Sequence, residues 1–175
     1  LSFGSSATRG SEKYEAEIRS GMGKTINVLV TRAKVPESGL SVISLLDISE
    51  RSAMERELAY RANHDLLTGL ANKALVATRL MAAMQEVHES GGMVGVLLID
   101  LDRFKQVNDS FGHSLGDKLL RQAAERLTYL ARQDDCVART GGDEFVIVVG
   151  KAQGKVQLEA LANNVLHSLN RCFYV

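Results

Sequence analysis

The sequence has no surplus of either charge: 21 Lys and Arg stand against 21 Asp and Glu, with a pI near 7.1. A non-specific binder of nucleic acid polymer or of an anionic membrane carries a basic excess, so neither class is supported. Dividing the chain at His64 changes nothing: residues 1–63 hold 9 basic and 8 acidic side chains and residues 64–175 hold 12 and 13. Neither part is a charged tail, and any charge-based function is local. Cysteine is scarce too. Cys136 and Cys172 lie far apart and match neither a disulfide framework nor a zinc pattern, which leaves reduced thiols and an expected cytoplasmic location. Long apolar runs are missing: the longest, Met93 to Ile99, is too short to cross a bilayer. Leu1-Ser2-Phe3-Gly4 has no basic stretch followed by an apolar one, so no export signal is read there. A membrane tether upstream of Leu1 stays open.

What remains is an ordinary globular composition, 45% apolar and 24% charged over 175 residues, enough for one full domain and a remainder or for two incomplete ones. The chain opens without Met and shows no capping element at either end, so a piece of a longer polypeptide is expected. Residues 12–47 read as an antiparallel meander: Lys13 to Ser20, Thr25 to Val35 and Leu40 to Leu46, separated by Gly21-Met22-Gly23 and Pro36-Glu37-Ser38-Gly39. Ser49 to His64 then reads as a helix with one apolar seam, Met54, Leu58 and Arg61/Ala62, which either packs on its own domain or pairs with a copy of itself. A second helix is expected from Asn72 to His88, stopped by Gly91-Gly92. Met93 to Asp100 reads as a strand buried on both faces, and Ser114 to Ala131 as an amphipathic helix. Val137 to Arg139 and Glu144 to Val149 read as strands around a Gly141-Gly142 turn, before a last helix from Lys155 to Leu169. A split βαβ sheet needs one further strand, so Met93 to Asp100 is expected to be an exposed edge.

Gly21-Met22-Gly23-Lys24-Thr25 mimics the end of a phosphate-binding loop, but Ile18 stands where the first glycine belongs and a β-branched strand follows where a helix must open. It is read as a turn with Lys24 exposed. The informative constellation is acidic. Ile99-Asp100-Leu101-Asp102 places carboxylates at a strand end, and Gly142-Asp143-Glu144 places two more at a hairpin tip. If the hairpin pairs with that strand, Asp100 and Asp143 come together, and clustered carboxylates repel unless a cation sits between them. Hard oxygen ligands on rigid tips suit Mg²⁺, which takes a few carboxylates and substrate phosphates. Solvated loop acids would explain one carboxylate but not two sets flanked by apolar strands. Gly141-Gly142 permits positive φ and lets a bulky group approach the backbone. Lys105 is a candidate phosphate contact. Asn108 and Asp117 are candidates for a base edge, beside an irregular stretch expected over Asn108 to Gly116. Taken singly, each reads more readily as a helix cap, Asn108, Asp109 and Ser114 in particular.

Asp65-Leu66-Leu67-Thr68-Gly69-Leu70-Ala71-Asn72, then Asp100-Leu101-Asp102-Arg103-Phe104-Lys105 through Asn108-Asp109, Phe111-Gly112-His113 and Gly116-Asp117, then Arg139-Thr140-Gly141-Gly142-Asp143-Glu144-Phe145, resemble the GGDEF family of diguanylate cyclases. The likeness runs from about Asp65 to the end of the chain. It implies condensation of two GTP into cyclic di-GMP, with release of pyrophosphate, on a polymerase-palm-like, ferredoxin-like α+β domain. By motif position, the carboxylates of Asp100 and Asp143 and the Leu101 carbonyl would hold Mg²⁺ or Mn²⁺. Glu144 would assist the metal or deprotonate the attacking 3′-hydroxyl. Asn108 and Asp117 would read guanine, Lys105 and the backbone near Phe104 would hold phosphate, and Gly141 and Gly142 would admit the substrate. Each site contributes half of a symmetric product, so a homodimer is implied. Arg132-Gln133-Asp134-Asp135 resembles the family's RxxD inhibitory site, in which Arg132 grips phosphate or guanine and Asp135 accepts from guanine. An Arg and an Asp at a helix end is the common alternative.

Tyr14-Glu15 through Asp47-Ile48-Ser49-Glu50-Arg51 is similar to the last strands of a PAS sensor domain and the helix that follows it. The expected layout is residues 1–48 as the end of a PAS domain, 49–64 as a linker helix and 65–175 as a GGDEF domain cut short. The family's closing strand and basic phosphate ligands would lie past Val175, so this fragment is expected to be inactive. A non-catalytic module sensing GTP or cyclic di-GMP, attached to a phosphodiesterase, is the alternative. A pure interaction domain leaves the acidic cluster unexplained.

Overall fold

The computed structural model describes residues 11–19, 21, 23–35 and 37–174. The expected strand end at Ser20 and turn residues Met22 and Pro36 lie outside the described residues, as do residues 1–10 and Val175. The chain divides into two compact units, Leu1–Ala59 and Tyr60–Val175.

In the first unit β1 (Ser11–Arg19), β2 (Thr25–Lys34) and β3 (Ser41–Asp47) form an antiparallel sheet in the order β1-β2-β3. Thr25 opens a strand, so the sequence around Gly21 and Gly23 is no phosphate loop. Val28 and Val30 on β2 are buried, as is Ile48, while β3 is exposed along its whole length. Helix α1 (Ser49–Asn63) starts where the Asp47 carboxylate accepts the Ser49 amide at 2.8 Å and Ser49 Oγ accepts the Asn27 amide at 2.9 Å. It buries no residue, and its Met54 and Leu58 stay exposed.

The second unit contains α2 (Lys73–Ser90), β4 (Met93–Asp100), α3 (Phe104–Phe111), α4 (His113–Leu130), β5 (Cys136–Gly141), β6 (Glu144–Ala152) and α5 (Lys155–Leu169). Its sheet has the order β4-β6-β5 with both pairings antiparallel. Central β6 is buried from Phe145 to Val149, and alternation along it divides the core. Phe145, Ile147 and Val149 pack with Leu120 and Leu127 of α4 and Val165 of α5, whereas Val146 and Val148 pack with Val76 of α2. The apolar positions of α4, Leu120, Ala123, Ala124 and Leu127, recur at helical spacing and form its buried stripe. Helix α2 begins where Asn72 Oδ1 accepts the Ala74 and Leu75 amides, both at 3.0 Å. Among the described residues no helix is long and apolar enough to cross a membrane.

Three local expectations need correction. β4 is not buried on both faces. It lies at the sheet edge, as expected, with Gly95 buried under Leu158 of α5 and Leu98, opposite Val146, 82% exposed. An edge strand has a neighbour on one side only, so an apolar run does not guarantee cover. The stretch from Asn108 to Gly116 is not irregular: α3 and α4 fill it, interrupted at Gly112 with φ +84°. Asn108 and Asp109 therefore sit inside α3 and Ser114 inside α4, none of them as a cap. The hairpin turn is centred on Gly142 and Asp143, because Gly141 still pairs with Glu144.

Candidate active site

β4 ends and β6 begins at the same edge of the sheet, and their register sets Asp100 directly opposite Glu144. One residue further, the Leu101 amide donates to the Asp143 carbonyl at 3.3 Å. The pairing that builds the core thus brings two acidic ends together. Opposed residues on one face of an antiparallel pair have Cβ atoms about 4.5–5.5 Å apart, and like charges there destabilise the sheet. Among the described residues no hydrogen bond or ion pair engages the carboxylates of Asp100, Asp143 or Glu144. No three acidic, His or Cys side chains among those residues form a ready metal cage. The donor set still fits a small divalent ion, which prefers a few carboxylates and completes its shell with water and phosphate oxygens. Asp100 and Glu144 supply a cross-strand pair, Asp143 a third carboxylate at the tip, and the buried residue Leu101 a backbone carbonyl just past the strand end.

The tip is held from behind. Gly142 has φ +49°, the left-handed conformation that the first central position of a tight hairpin demands. Its carbonyl accepts from Arg139 Nε at 2.9 Å and from Arg139 Nη2 at 2.6 Å. Arg139 Nη1 reaches both oxygens of Asp65 at 3.1 Å, in an ion pair whose side chains are 12% and 23% exposed. Asp65 also accepts from the Thr68 amide at 2.9 Å and hydroxyl at 2.6 Å. Burial pushes the Asp65 carboxyl up, but the Thr68 bonds and the Arg139 guanidinium outweigh it and hold the group below the ordinary carboxylate range. In the sequence Asp65, Thr68 and Arg139 stand only as letters of the family motifs, with no role attached. The available signal was an arginine three positions before Gly142.

Helix α3 and the start of α4 carry the other candidates. Asn108 Oδ1 is buried with no hydrogen-bond partner, and a Cβ on Gly116 would stand 1.9 Å from it. Glycine at 116 is therefore what lets the Asn108 amide lie against α4. An unsatisfied buried oxygen costs about 1–3 kcal/mol, which a donor from a bound molecule would offset. Asp117, the next residue, is half-buried, and Lys105 is exposed on α3. Phe104 packs on the core while its amide donates to the Leu101 carbonyl at 3.1 Å. A cavity of about 490 Å³ beside β4 gathers Asp100, Leu101, Asp102 and Phe104 among apolar residues of α5, but Asn108, Asp117 and Glu144 do not line it.

Residues 62–174 match the family described as diguanylate cyclase, GGDEF domain. The chain belongs to the GGDEF family. Diguanylate cyclase TpbB of Pseudomonas aeruginosa is 36% identical over 149 residues, 78% of this chain and 34% of its own length. The solved GGDEF domain of TpbB superposes with a TM-score of 0.59 at 39% identity, covering 60% of this chain and 61% of that one. Cyclic di-GMP phosphodiesterase PdeR of Escherichia coli is 32% identical over 173 residues, 95% of this chain and 26% of its own length. The chain thus spans well under two thirds of either relative.

In this GGDEF domain Arg132 and Asp135 close one turn: Asp135 Oδ2 accepts the Arg132 amide at 2.9 Å, and the Arg132 carbonyl accepts the Asp135 amide at 3.0 Å. The turn leaves the Arg132 side chain exposed. Cys136 and Cys172 are free thiols; burial pushes Cys136 up, away from the reactive thiolate, against a smaller opposing pull from Arg79.

Proposed function

We propose that this protein is a cytoplasmic diguanylate cyclase that joins two GTP into cyclic di-GMP and releases pyrophosphate. In this reading residues 1–48 end a PAS sensor, 49–64 link it to the output, and 65–175 belong to the GGDEF domain. The acidic tip carries the proposal: Asp100 set in register against Glu144, with Asp143 tied in through its carbonyl. Helices packed on both faces of the antiparallel β4-β6-β5 sheet support the ferredoxin-like, palm-like layout.

Mg²⁺ or Mn²⁺ held by Asp100, Asp143 and the Leu101 carbonyl, with Glu144 assisting, would neutralise charge at the transferring phosphoryl group. Glu144 would accept the proton of the attacking 3′-hydroxyl. Asn108 and Asp117 orient guanine, and the unpartnered Asn108 oxygen supports that role by calling for a donor. Lys105 and the backbone at Phe104 hold phosphate, and the open space in front of Gly141 and Gly142 admits it. Each site supplies half of a two-fold product, so two copies act as a homodimer, and the exposed Met54 and Leu58 of α1 offer a seam for it. Arg132 and Asp135 form the inhibitory product site.

The likeness to PdeR over nearly the whole chain supports a second reading, a regulatory GGDEF module that binds GTP or cyclic di-GMP beside a phosphodiesterase. The Asp143→Ala variant in the intact protein separates the two. A cyclase loses turnover by at least about 100-fold and keeps cyclic di-GMP binding through Arg132 and Asp135. A wild-type protein that binds nucleotide and makes no product favours the regulatory module, and full turnover in the variant shows that the tip is not the reacting site.

A further inference from the structure

We propose that Asp65 and Arg139 are positioning residues: they latch the Gly142-Asp143 tip to the segment after α1, so that the last turn of α1 sets where the acidic tip stands. The proposal rests on reading that tip as the reacting site. A guanidinium has five N–H donors in a rigid fork. Here the fork is divided, with Nη1 on the Asp65 carboxylate and Nε and Nη2 on the Gly142 carbonyl. Gly142 is exposed, so water would satisfy its carbonyl without help. A structural ion pair alone has no need of this second contact. Its effect is to fix the peptide that leads into Asp143.

The other end of the latch runs back to α1 through an unbroken set of contacts. The Asp65 amide donates to the Leu70 carbonyl and the Gly69 amide to the Asp65 carbonyl, each at 2.8 Å. Asn72 then closes on α1: its amide donates to the Asn63 carbonyl at 2.9 Å and its side chain to the Ala62 carbonyl at 2.8 Å. Between them Ala71 forms a parallel bridge with Ala138, and the Arg139 amide donates to the Ala71 carbonyl at 2.9 Å. Tyr60 stacks on His64 with ring centroids 4.1 Å apart. A shift of Tyr60 or His64 therefore moves Asp65, and Asp65 moves Gly142 through one side chain.

Amide hydrogen exchange in the purified chain tests this without requiring turnover. The Leu101 amide, bonded to the Asp143 carbonyl, reports the tip, and the Ile147 amide at the centre of β6 reports global stability. Asp65→Asn is expected to speed Leu101 exchange about tenfold, and Tyr60→Ala about threefold, with a smaller rise at Ile147 that only tracks the loss of global stability. If Asp65→Asn fails to fold, Thr68→Ala carries the same test at a smaller factor. Unchanged Leu101 exchange in either variant, or an equal rise at Leu101 and Ile147, overturns the latch. In the intact protein Asp65→Asn is expected to lower kcat while leaving the KM for GTP in place. The two readings fail separately: if Asp143→Ala keeps full turnover the tip is not the reacting site, whatever Leu101 shows. If Asp143→Ala abolishes turnover and Leu101 does not respond to Asp65→Asn, only the latch is wrong.

Discussion

The two sheets of this protein pair their strands alike and are covered very differently. Each is three-stranded and antiparallel, yet β6 at the centre of the second buries five consecutive residues, Phe145 to Val149. β2, the centre of the first, buries Val28 and Val30 on one face, and β3 buries nothing although Val42, Ile43, Leu45 and Leu46 are apolar. Pairing follows from local pattern and turn chemistry, whereas burial requires a second layer on each face. Helices α2, α4 and α5 supply those layers for β6. The well-covered sheet is also the one whose strand ends carry the acidic tip, so a rigid core stands directly behind residues that repel each other.

The contrast can be broken from the covered side first. Phe145→Ala empties a fully buried position and should cost the second unit about 3–5 kcal/mol in denaturant melts; a loss under about 1 kcal/mol would show that β6 is not the packed centre. A smaller effect is expected at the latch. The Asp65 carboxyl is held below its ordinary value, so its contribution is fully present above about pH 4 and is lost as pH falls through the lowered native value. Asp65→Asn should remove about 0.5–1 kcal/mol near neutral pH and flatten that part of the acid limb. An acid limb of equal slope in both proteins contradicts the ion pair. The smallest effect belongs to the uncovered strand: Ile43→Thr, at a position 61% exposed, should change stability by less than about 0.5 kcal/mol. A loss several times larger would mean that β3 is covered in solution and that the contrast is false.

Much of this was readable in the residues. The β-branched run from Thr25, the stripe from Leu120 to Leu127 and the Gly-Gly-Asp hairpin each specify their element through local physics, and the ordered motifs specify the family. What escaped depends on distant partners. Asn108-Asp109-Ser110 is poor helix sequence, and α3 forms there with Phe104 in the core and Asn108 against Gly116. The order of elements already marks β4 as an edge, but its apolar run carries no mark of which positions a second layer covers. The Asp65 to Arg139 bond spans 74 residues and leaves no periodic trace. The opposition of Asp100 and Glu144 likewise emerges only once the strand register is known.

The central claim is that this register makes one divalent-ion site out of two acidic strand ends. Electron paramagnetic resonance titration of Mn²⁺ into the protein with a non-hydrolysable GTP analogue measures it directly. The wild-type chain should bind Mn²⁺ in a nucleotide-dependent way, and Asp100→Asn should weaken that binding by at least about tenfold. Equal Mn²⁺ binding by the two proteins, or none by either, would contradict it.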